Sequence, residues 1–139
     1  PHGMSYAVAG LVKDYSPEGW PTDHKMVPHG ISVIVNSPAV FRKTGPACAE
    51  RHWKAAAAMG ADLTDTKVED GGNILAEQIL GMMRETGIPN GLSGVGYSID
   101  DLDALTDRSY AQKRLIDNGP MPISRDELKE LFSDAMTYW

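Results

Sequence analysis

The end of the chain carries the pattern that most restricts how it can fold. Ser124 precedes Glu127 by three residues, the spacing of a capping box in which each side chain binds the other residue's amide at a helix N-terminus. Apolar residues follow at i, i+3, i+4, i+7 and i+8, the spacing of one helix face: Leu128, Leu131, Phe132, Ala135 and Met136. Because an apolar stripe must be covered by another apolar surface, the sequence predicts a C-terminal helix packed on a core.

Three other segments favour helices and together predict an all-α, multi-helix fold. Residues 2–12 are rich in Ala, Val, Leu and Gly and predict a short buried helix. Residues 46–59 contain four consecutive alanines and predict a helix that Gly60 ends, with side chains small enough for close helix packing. Apolar residues recur with helical spacing over residues 70–86, until a Gly-Ile-Pro-Asn-Gly turn stops the pattern.

Two glycine-containing segments resemble nucleotide-binding loops only in part. Gly71 and Gly72 have no predicted strand before them and no Gly-Lys pair after them, so the sequence does not predict a phosphate loop there. The Gly-Val-Gly sequence at residues 94–96 lacks the full dinucleotide fingerprint. It leads to Ser98, with Asp101 three residues further on, which predicts another helix N-terminus.

The pattern over residues 31–41 is ambiguous on its own. Its first five residues include four that are β-branched, which favours a buried strand: Ile31, Val33, Ile34 and Val35. A buried helix that is hydrophobic all round also fits this segment. In such a helix, Pro38 would kink or loosen the last turns.

A short phrase occurs twice near the front of the chain. It is Pro1-His2-Gly3-Met4-Ser5 and then Pro28-His29-Gly30-Ile31-Ser32. Proline is tolerated in the first turn of a helix, where its missing N–H would have had no partner, so each phrase predicts a histidine at a helix start. Imidazole is the commonest metal ligand, and a neighbouring glycine would let a backbone or a ligand approach it. The repeat makes His2 and His29 candidate metal ligands.

Two imidazoles do not complete a catalytic metal site, which typically has about three protein ligands and an open position. A divalent cation between two positive helix ends would also need a carboxylate. The acids nearest in sequence, Asp14, Glu18 and Asp23, could serve only if the connection between the phrases folded back. The simpler prediction is that the other ligands lie outside this chain. His24, in the same connection, is a weaker candidate for lining the site.

Several side chains that could carry chemistry are better explained by packing. Trp20 is expected to anchor the connection between the two phrases on the core. Cys48 is expected to be a small buried residue, although His52 stands one helical turn away. Met82 and Met83 are expected to fill the core rather than to bind a ligand.

Charge and composition exclude several classes of function. The net charge of −6 argues against nucleic acid and anionic membrane surfaces as partners, since both reward a basic face. No apolar run approaches the roughly 18 residues of a membrane span. The single cysteine cannot form an internal disulfide, which favours the cytoplasm, or the mitochondrial matrix in a eukaryote. The chain has no initiating methionine or signal sequence and is therefore expected to belong to a longer protein.

Several segments together form a recognisable set. The first three are consecutive: His2-Gly-Met-Ser-Tyr6, the Pro/Gly-rich insert through Asp23-His24-Lys-Met-Val-Pro-His29-Gly30, and the apolar run from Ile31 to Phe41. The others are Arg51-His52-Trp53 with Met59-Gly60-Ala61-Asp62, residues 94–98 and the acidic final helix. This set resembles the iron-dependent (group III) alcohol dehydrogenases, in particular the branch that contains hydroxyacid-oxoacid transhydrogenase. The resemblance runs along the whole chain and is most specific over residues 2–30.

Members of that family have an N-terminal α/β nucleotide-binding domain and a C-terminal helical domain, and residues 1–139 resemble the second alone, as a single domain. The resemblance also favours a helix over residues 31–41.

The family's metal is held by an aspartate and three histidines, the last two of which match His2 and His29; the other two ligands would lie upstream. Many members have a further active-site histidine where this chain has Tyr6, whose phenol could instead hydrogen-bond a substrate oxygen or relay a proton.

Two hypotheses for function follow. In the first, the chain is the metal-binding half of an NAD- or NADP-linked alcohol or hydroxyacid dehydrogenase or transhydrogenase. Fe²⁺ or Zn²⁺ would polarise an alcohol, hydroxyacid or aldehyde, and the absent N-terminal domain would bind most of the nicotinamide cofactor. The isolated chain would then be inactive, with an exposed apolar face that favours a homo-oligomer. In the second hypothesis, the chain is a non-catalytic helical interaction or scaffold domain that is indifferent to metal.

Overall fold

The computed structural model describes residues 1–20 and 23–139 and confirms the all-α prediction. Over these residues the chain forms seven α-helices and no β-strand. The helices are α1 (His2–Gly10), α2 (His29–Ile34), α3 (Ser37–Ala58), α4 (Gly71–Glu85), α5 (Leu102–Tyr110), α6 (Lys113–Ile116) and α7 (Arg125–Asp134). Short 3₁₀ turns lie at Val68–Asp70, Ser93–Val95 and Ile99–Asp101. None of the helices in the described ranges combines the length and the apolarity that crossing a membrane demands.

The predicted C-terminal helix is confirmed as α7, and its apolar stripe lies in the larger of two hydrophobic cores. All five residues of the stripe are buried, although the helix ends at Asp134 and the last two extend beyond it. This first core forms where α5 packs against both α1 and α7. Its other buried members include Met4, Ala7, Val8, Leu92, Val95, Tyr97 and Leu105.

The second core lies between α3 and α4, which pack at close range. Glycines set that distance: a Cβ added to Gly72 would lie 2.6 Å from the Cα of Gly45 and 2.6 Å from the carbonyl oxygen of Phe41. The predicted packing through the alanines holds for two of the four: Ala56 is fully buried in this core and Ala55 packs against it, whereas Ala57 and Ala58 are exposed. Gly72 therefore has a packing role, in agreement with the absence of a phosphate-loop motif.

Residues 31–41 are helical, as the resemblance implies, but two helices replace the single one predicted. α2 ends at Ile34 and α3 begins at Ser37. Pro38 lies in the first turn of α3, where its missing N–H needs no partner. Because a proline ring clashes with the carbonyl four residues earlier, which here belongs to Ile34, the preceding helix stops there. The predicted kink in the turns after Pro38 is therefore wrong, because the interruption precedes it.

α3 contains the predicted helix over residues 46–59 but bends inside it. Cys48 has φ −151° and ψ 41°, outside the helical range. It follows Pro46, which has no amide hydrogen to give to the helix and causes interruptions of this kind. Beyond the bend the helix continues to Ala58, and Gly60 with φ +91° ends it as predicted.

Three smaller predictions are also wrong. α1 ends at Gly10 rather than at residue 12, because Leu11 with φ −115° and ψ 18° already leaves the helical region. Trp20 is 53% exposed and therefore does not anchor the connection between α1 and α2 on the core. Met83 is buried as predicted, but Met82 is 39% exposed, because consecutive residues of a helix point about 100° apart and cannot both face one core.

The capping box at the start of α7 gives the first testable prediction, which concerns acid stability. The Glu127 amide donates to the Ser124 hydroxyl over 3.2 Å, and the Ser124 amide donates to the Glu127 carboxylate over 2.9 Å. This second bond, with the Lys43 ammonium at 3.0 Å, holds the pKa of Glu127 at about 2, below its usual 4.5. An acid with a lowered folded-state pKa stabilises the fold above its unfolded pKa and loses that effect as pH falls through the folded one.

We therefore expect Glu127→Gln to lower the free energy of unfolding at pH 7 and to flatten its decline between about pH 4.5 and 2. Denaturant unfolding at a series of pH values measures both effects. Glu130→Gln, which changes an exposed carboxylate on the same helix, is the matched control. Equal pH dependence in the two variants would contradict the prediction.

Candidate metal centre

The two histidines of the repeated phrase face each other. His2 is the first residue of α1 and His29 is the first residue of α2. Their ring centroids lie 5.3 Å apart, and the ring planes are inclined by 56°. Both residues are exposed, so their rings are open to a ligand or to another protein segment.

This separation matches the geometry of a shared ion. Two imidazoles that bind one tetrahedral ion at about 2.1 Å would have ring centroids about 5 Å apart. The observed pair therefore fits two adjacent positions of a tetrahedral site. A distance of this size is also ordinary for tilted aromatic rings in contact, which have centroids about 4.5–7 Å apart.

A serine fixes each histidine at the start of its helix, and sequence analysis assigned no role to either one. The Ser5 hydroxyl donates to the His2 carbonyl over 2.8 Å, and the Ser32 hydroxyl donates to the His29 carbonyl over 2.8 Å. Both serines are buried. The signal was available, because serine stands at the fifth position of both copies of the phrase.

The surroundings of the two helix starts differ. The Gly3 carbonyl accepts a hydrogen bond from the buried Ser109 hydroxyl of α5 over 2.9 Å. A Cβ on Gly3 would lie 2.6 Å from Cδ1 of Ile116 in α6, so this glycine admits a neighbouring side chain, whereas Gly30 has nothing within 4 Å of the same position. The close approach predicted at these glycines is therefore seen at Gly3, where the Ile116 side chain of α6 packs against the backbone. At Gly30 the corresponding space is open.

The other candidate residues do not join the two imidazoles as ligands. Within residues 1–20 and 23–139, no three His, Cys, Asp or Glu side chains form a group that could hold a metal ion. Asp23 instead pairs with Nδ1 of His24 at 2.6 Å, and this hydrogen bond lowers the pKa of the Asp23 carboxyl. The His24 side chain is 71% exposed, while Tyr6 lies one helical turn after His2 and is about half exposed.

A cavity of about 460 Å³ opens beside His2. Most of its wall is apolar and comes from α3, α6, α7 and the segment before α7, including Phe41, Leu115, Ile116, Met121, Ile123, Leu128 and Leu131. Cys48 and His52 of α3 also line it, with Sγ of the cysteine 3.4 Å from Nε2 of the histidine. Burial lowers the pKa of His52, which keeps this ring uncharged at neutral pH.

Known proteins are similar in sequence to this chain over nearly its whole length. A family model described as Fe-containing alcohol dehydrogenase family, C-terminal, matches residues 22–136. The mitochondrial hydroxyacid-oxoacid transhydrogenase of Xenopus laevis is 43% identical over 135 residues, which cover 97% of this chain and 29% of the relative. The probable mitochondrial hydroxyacid-oxoacid transhydrogenase of Dictyostelium discoideum is 42% identical over 139 residues, covering 99% of this chain and 25% of the relative. The chain thus spans less than a third of the curated relatives it matches.

Solved structures share the fold at lower identity. The 1,3-propanediol oxidoreductase structure superposes with a TM-score of 0.79 at 22% identity and covers 96% of this chain and 31% of that one. The alcohol dehydrogenase from Oenococcus oeni gives a TM-score of 0.80 at 17% identity, with 96% and 31% coverage. In both, a helical arrangement like this one forms part of a much longer chain.

Proposed function

Because the chain belongs to the Fe-containing alcohol dehydrogenase family and contains its C-terminal region, we propose that it is a single metal-binding helical domain of an NAD(P)-linked alcohol or hydroxyacid dehydrogenase or transhydrogenase. The observation that carries the proposal is the pair of facing imidazoles 5.3 Å apart at two helix starts. Their separation suits two ligands of one tetrahedral ion, and both rings come from copies of the same phrase at a helix start.

His2 and His29 would hold the ion, Fe²⁺ or Zn²⁺, through their imidazole nitrogens. The remaining ligands, an aspartate and a third histidine, would come from an N-terminal nucleotide-binding domain. The exposure of both rings supports this arrangement, because it leaves them accessible to a second domain. When bound, the metal supplies Lewis-acid polarisation of the substrate's alcohol or carbonyl oxygen.

The chain's own residues would bind and orient the substrate. The apolar wall of the cavity beside His2 would exclude water and pack against the carbon skeleton. Tyr6, one helical turn beyond His2 but outside the lining of this cavity, is a weak candidate to hold a proton at its phenol oxygen against a substrate oxygen. His24 is also a weak candidate for lining the site, and its ring already bonds Asp23.

The full reaction would be hydride transfer between an alcohol or hydroxyacid and a nicotinamide cofactor, which the N-terminal domain would bind. The relatives' names favour hydroxyacid and oxoacid substrates, and for a eukaryotic parent they favour the mitochondrial matrix over the cytoplasm. The isolated chain is expected to be inactive, because it contains two of four metal ligands and no nucleotide-binding domain. Association with the N-terminal domain, or of the chain with itself, would cover the exposed site.

Titration of the 139-residue chain with Zn²⁺ tests the metal centre directly. We expect weak one-to-one binding that strengthens with pH, because protons compete for imidazole nitrogen. His2→Ala and His29→Ala should each weaken binding at least about tenfold, because one ligand cannot hold the ion as two do. Isothermal titration calorimetry measures these affinities. A hydride-transfer assay of the isolated chain tests the expectation that it is inactive.

His24→Ala is the matched control, since its exposed ring pairs with Asp23 and should leave Zn²⁺ affinity unchanged. If all three variants bind Zn²⁺ as the unmodified chain does, His2 and His29 are not ligands. The alternative of a non-catalytic helical scaffold that is indifferent to metal would then be favoured.

A further inference from the structure

The helix that carries His29 is too short to orient itself. α2 has six residues, fewer than two turns, and isolated helices of this length are unstable in water. The C-terminal end of α2 is also not continuous with α3, because Pro38 interrupts the helix between Ile34 and Ser37. The direction in which His29 points therefore depends on contacts that fix α2 from outside.

Tyr138 supplies such a contact at the interruption itself. Its phenol donates to the Val35 carbonyl over 2.9 Å and accepts from the Ala39 amide over 3.4 Å. In an unbroken helix, the amide of residue 39 would bond the carbonyl of residue 35 directly. The phenol oxygen lies between these two groups and bridges them, so it sets how far α2 and α3 separate.

The rest of the C-terminal segment holds this phenol in place. The Tyr138 amide donates to the Asn90 side-chain oxygen over 2.8 Å, and the Asn90 amide group donates to the Trp139 carbonyl. Nearby, the Leu92 amide donates to the Ala135 carbonyl over 2.9 Å. The Tyr138 ring also contacts both hydrophobic cores. Burial raises the pKa of Tyr138, which keeps its O–H able to donate at physiological pH.

We propose that Tyr138 is a positioning residue for the metal centre: its phenol fixes α2 against α3 and thereby keeps the His29 imidazole facing His2. The metal part of this inference rests on the proposed function, whereas the orientation of His29 does not. The chain contains a suitable comparison in Tyr97, a buried phenol that donates to the Val8 carbonyl over 2.7 Å, six residues beyond His2 in α1.

The experiment compares Tyr138→Phe with Tyr97→Phe in the 139-residue chain. Each variant loses one phenol–carbonyl hydrogen bond, so both should be destabilised in denaturant unfolding. Only Tyr138→Phe is expected to shift the imidazole resonances of His29, assigned by nuclear magnetic resonance with the His29→Ala variant. It should also weaken Zn²⁺ binding about fivefold, the equivalent of one hydrogen bond, while Tyr97→Phe leaves the affinity unchanged.

Unchanged His29 resonances in Tyr138→Phe, or equal effects of the two variants on His29 and on Zn²⁺ affinity, would overturn the inference. If Tyr138→Phe does not fold, Asn90→Ala, which releases the tail while keeping the phenol, must shift the same resonances for the inference to stand. Failure of the unmodified chain to bind Zn²⁺ through His2 and His29 would count against the proposed function alone, because the His29 resonances are measured without metal.

Discussion

Replacing Gly72 with alanine is expected to lower the free energy of unfolding by about 1–3 kcal/mol, the usual cost of overpacking a close contact. The added Cβ would lie 2.6 Å from the Cα of Gly45 and 2.6 Å from the Phe41 carbonyl. Both are backbone atoms, so no side chain can rotate away, and α3 and α4 must move apart. Typical domains are stable by about 5–15 kcal/mol, so this loss is a large fraction. Urea denaturation at pH 7 measures it.

Gly81→Ala is the matched control, because it makes the same substitution in the same helix. A Cβ at Gly81 meets nothing within 4 Å. Alanine should stabilise this position by about 0.5–1 kcal/mol through its better helix propensity. If Gly72→Ala is as stable as Gly81→Ala, the close crossing of the two helices does not contribute to stability.

Phe132→Ala is expected to cost about 3–5 kcal/mol, the range observed for large-to-small substitutions of buried aromatic residues. Phe132 is fully buried in the first core, where α7 packs against α5. Alanine would remove its ring contacts and leave a cavity that the packed helices can fill only in part. Thermal and denaturant unfolding should both show the loss.

Two further variants serve as comparisons for Phe132→Ala. Phe132→Leu retains much of the side-chain volume and should cost less than about 1.5 kcal/mol. Ile99→Ala, at a residue that is 72% exposed, should change stability by no more than about 0.5 kcal/mol. A loss for Phe132→Ala as small as that for Ile99→Ala would mean that α7 is not integral to the core.

The helices with regular apolar spacing could be predicted from the sequence because local spacing determines which face is buried. α4 and α7 show this, with boundaries at or close to those of the structure. The segment over residues 31–41 could not be resolved in this way. Its β-branched residues favour a strand, and only the resemblance indicated a helix. The sequence analysis expected Pro38 to loosen the last turns of one helix, whereas the interruption lies before Pro38, because proline blocks the helical turn that precedes it.

The candidate site was predictable in part, for a similar reason. The repeated phrase identified His2 and His29 before any distance between them was known, because both lie at helix starts marked by proline. Tyr138 could not be identified, since nothing in the local sequence indicates that a residue near the C-terminus reaches Val35. That contact depends on how α7 and its tail pack, which is set by the whole core.

The bridge between Tyr138 and Val35 has a consequence for the order of folding. It joins residues 103 positions apart, whereas the two histidines lie close together near the start of the chain. Closing so long a loop costs more entropy than forming local contacts, so the bridge belongs among the late events. During synthesis, α2 emerges from the ribosome long before the tail that fixes it. A nascent chain therefore presents the two imidazoles without their final alignment until Tyr138 has been synthesised and has reached Val35.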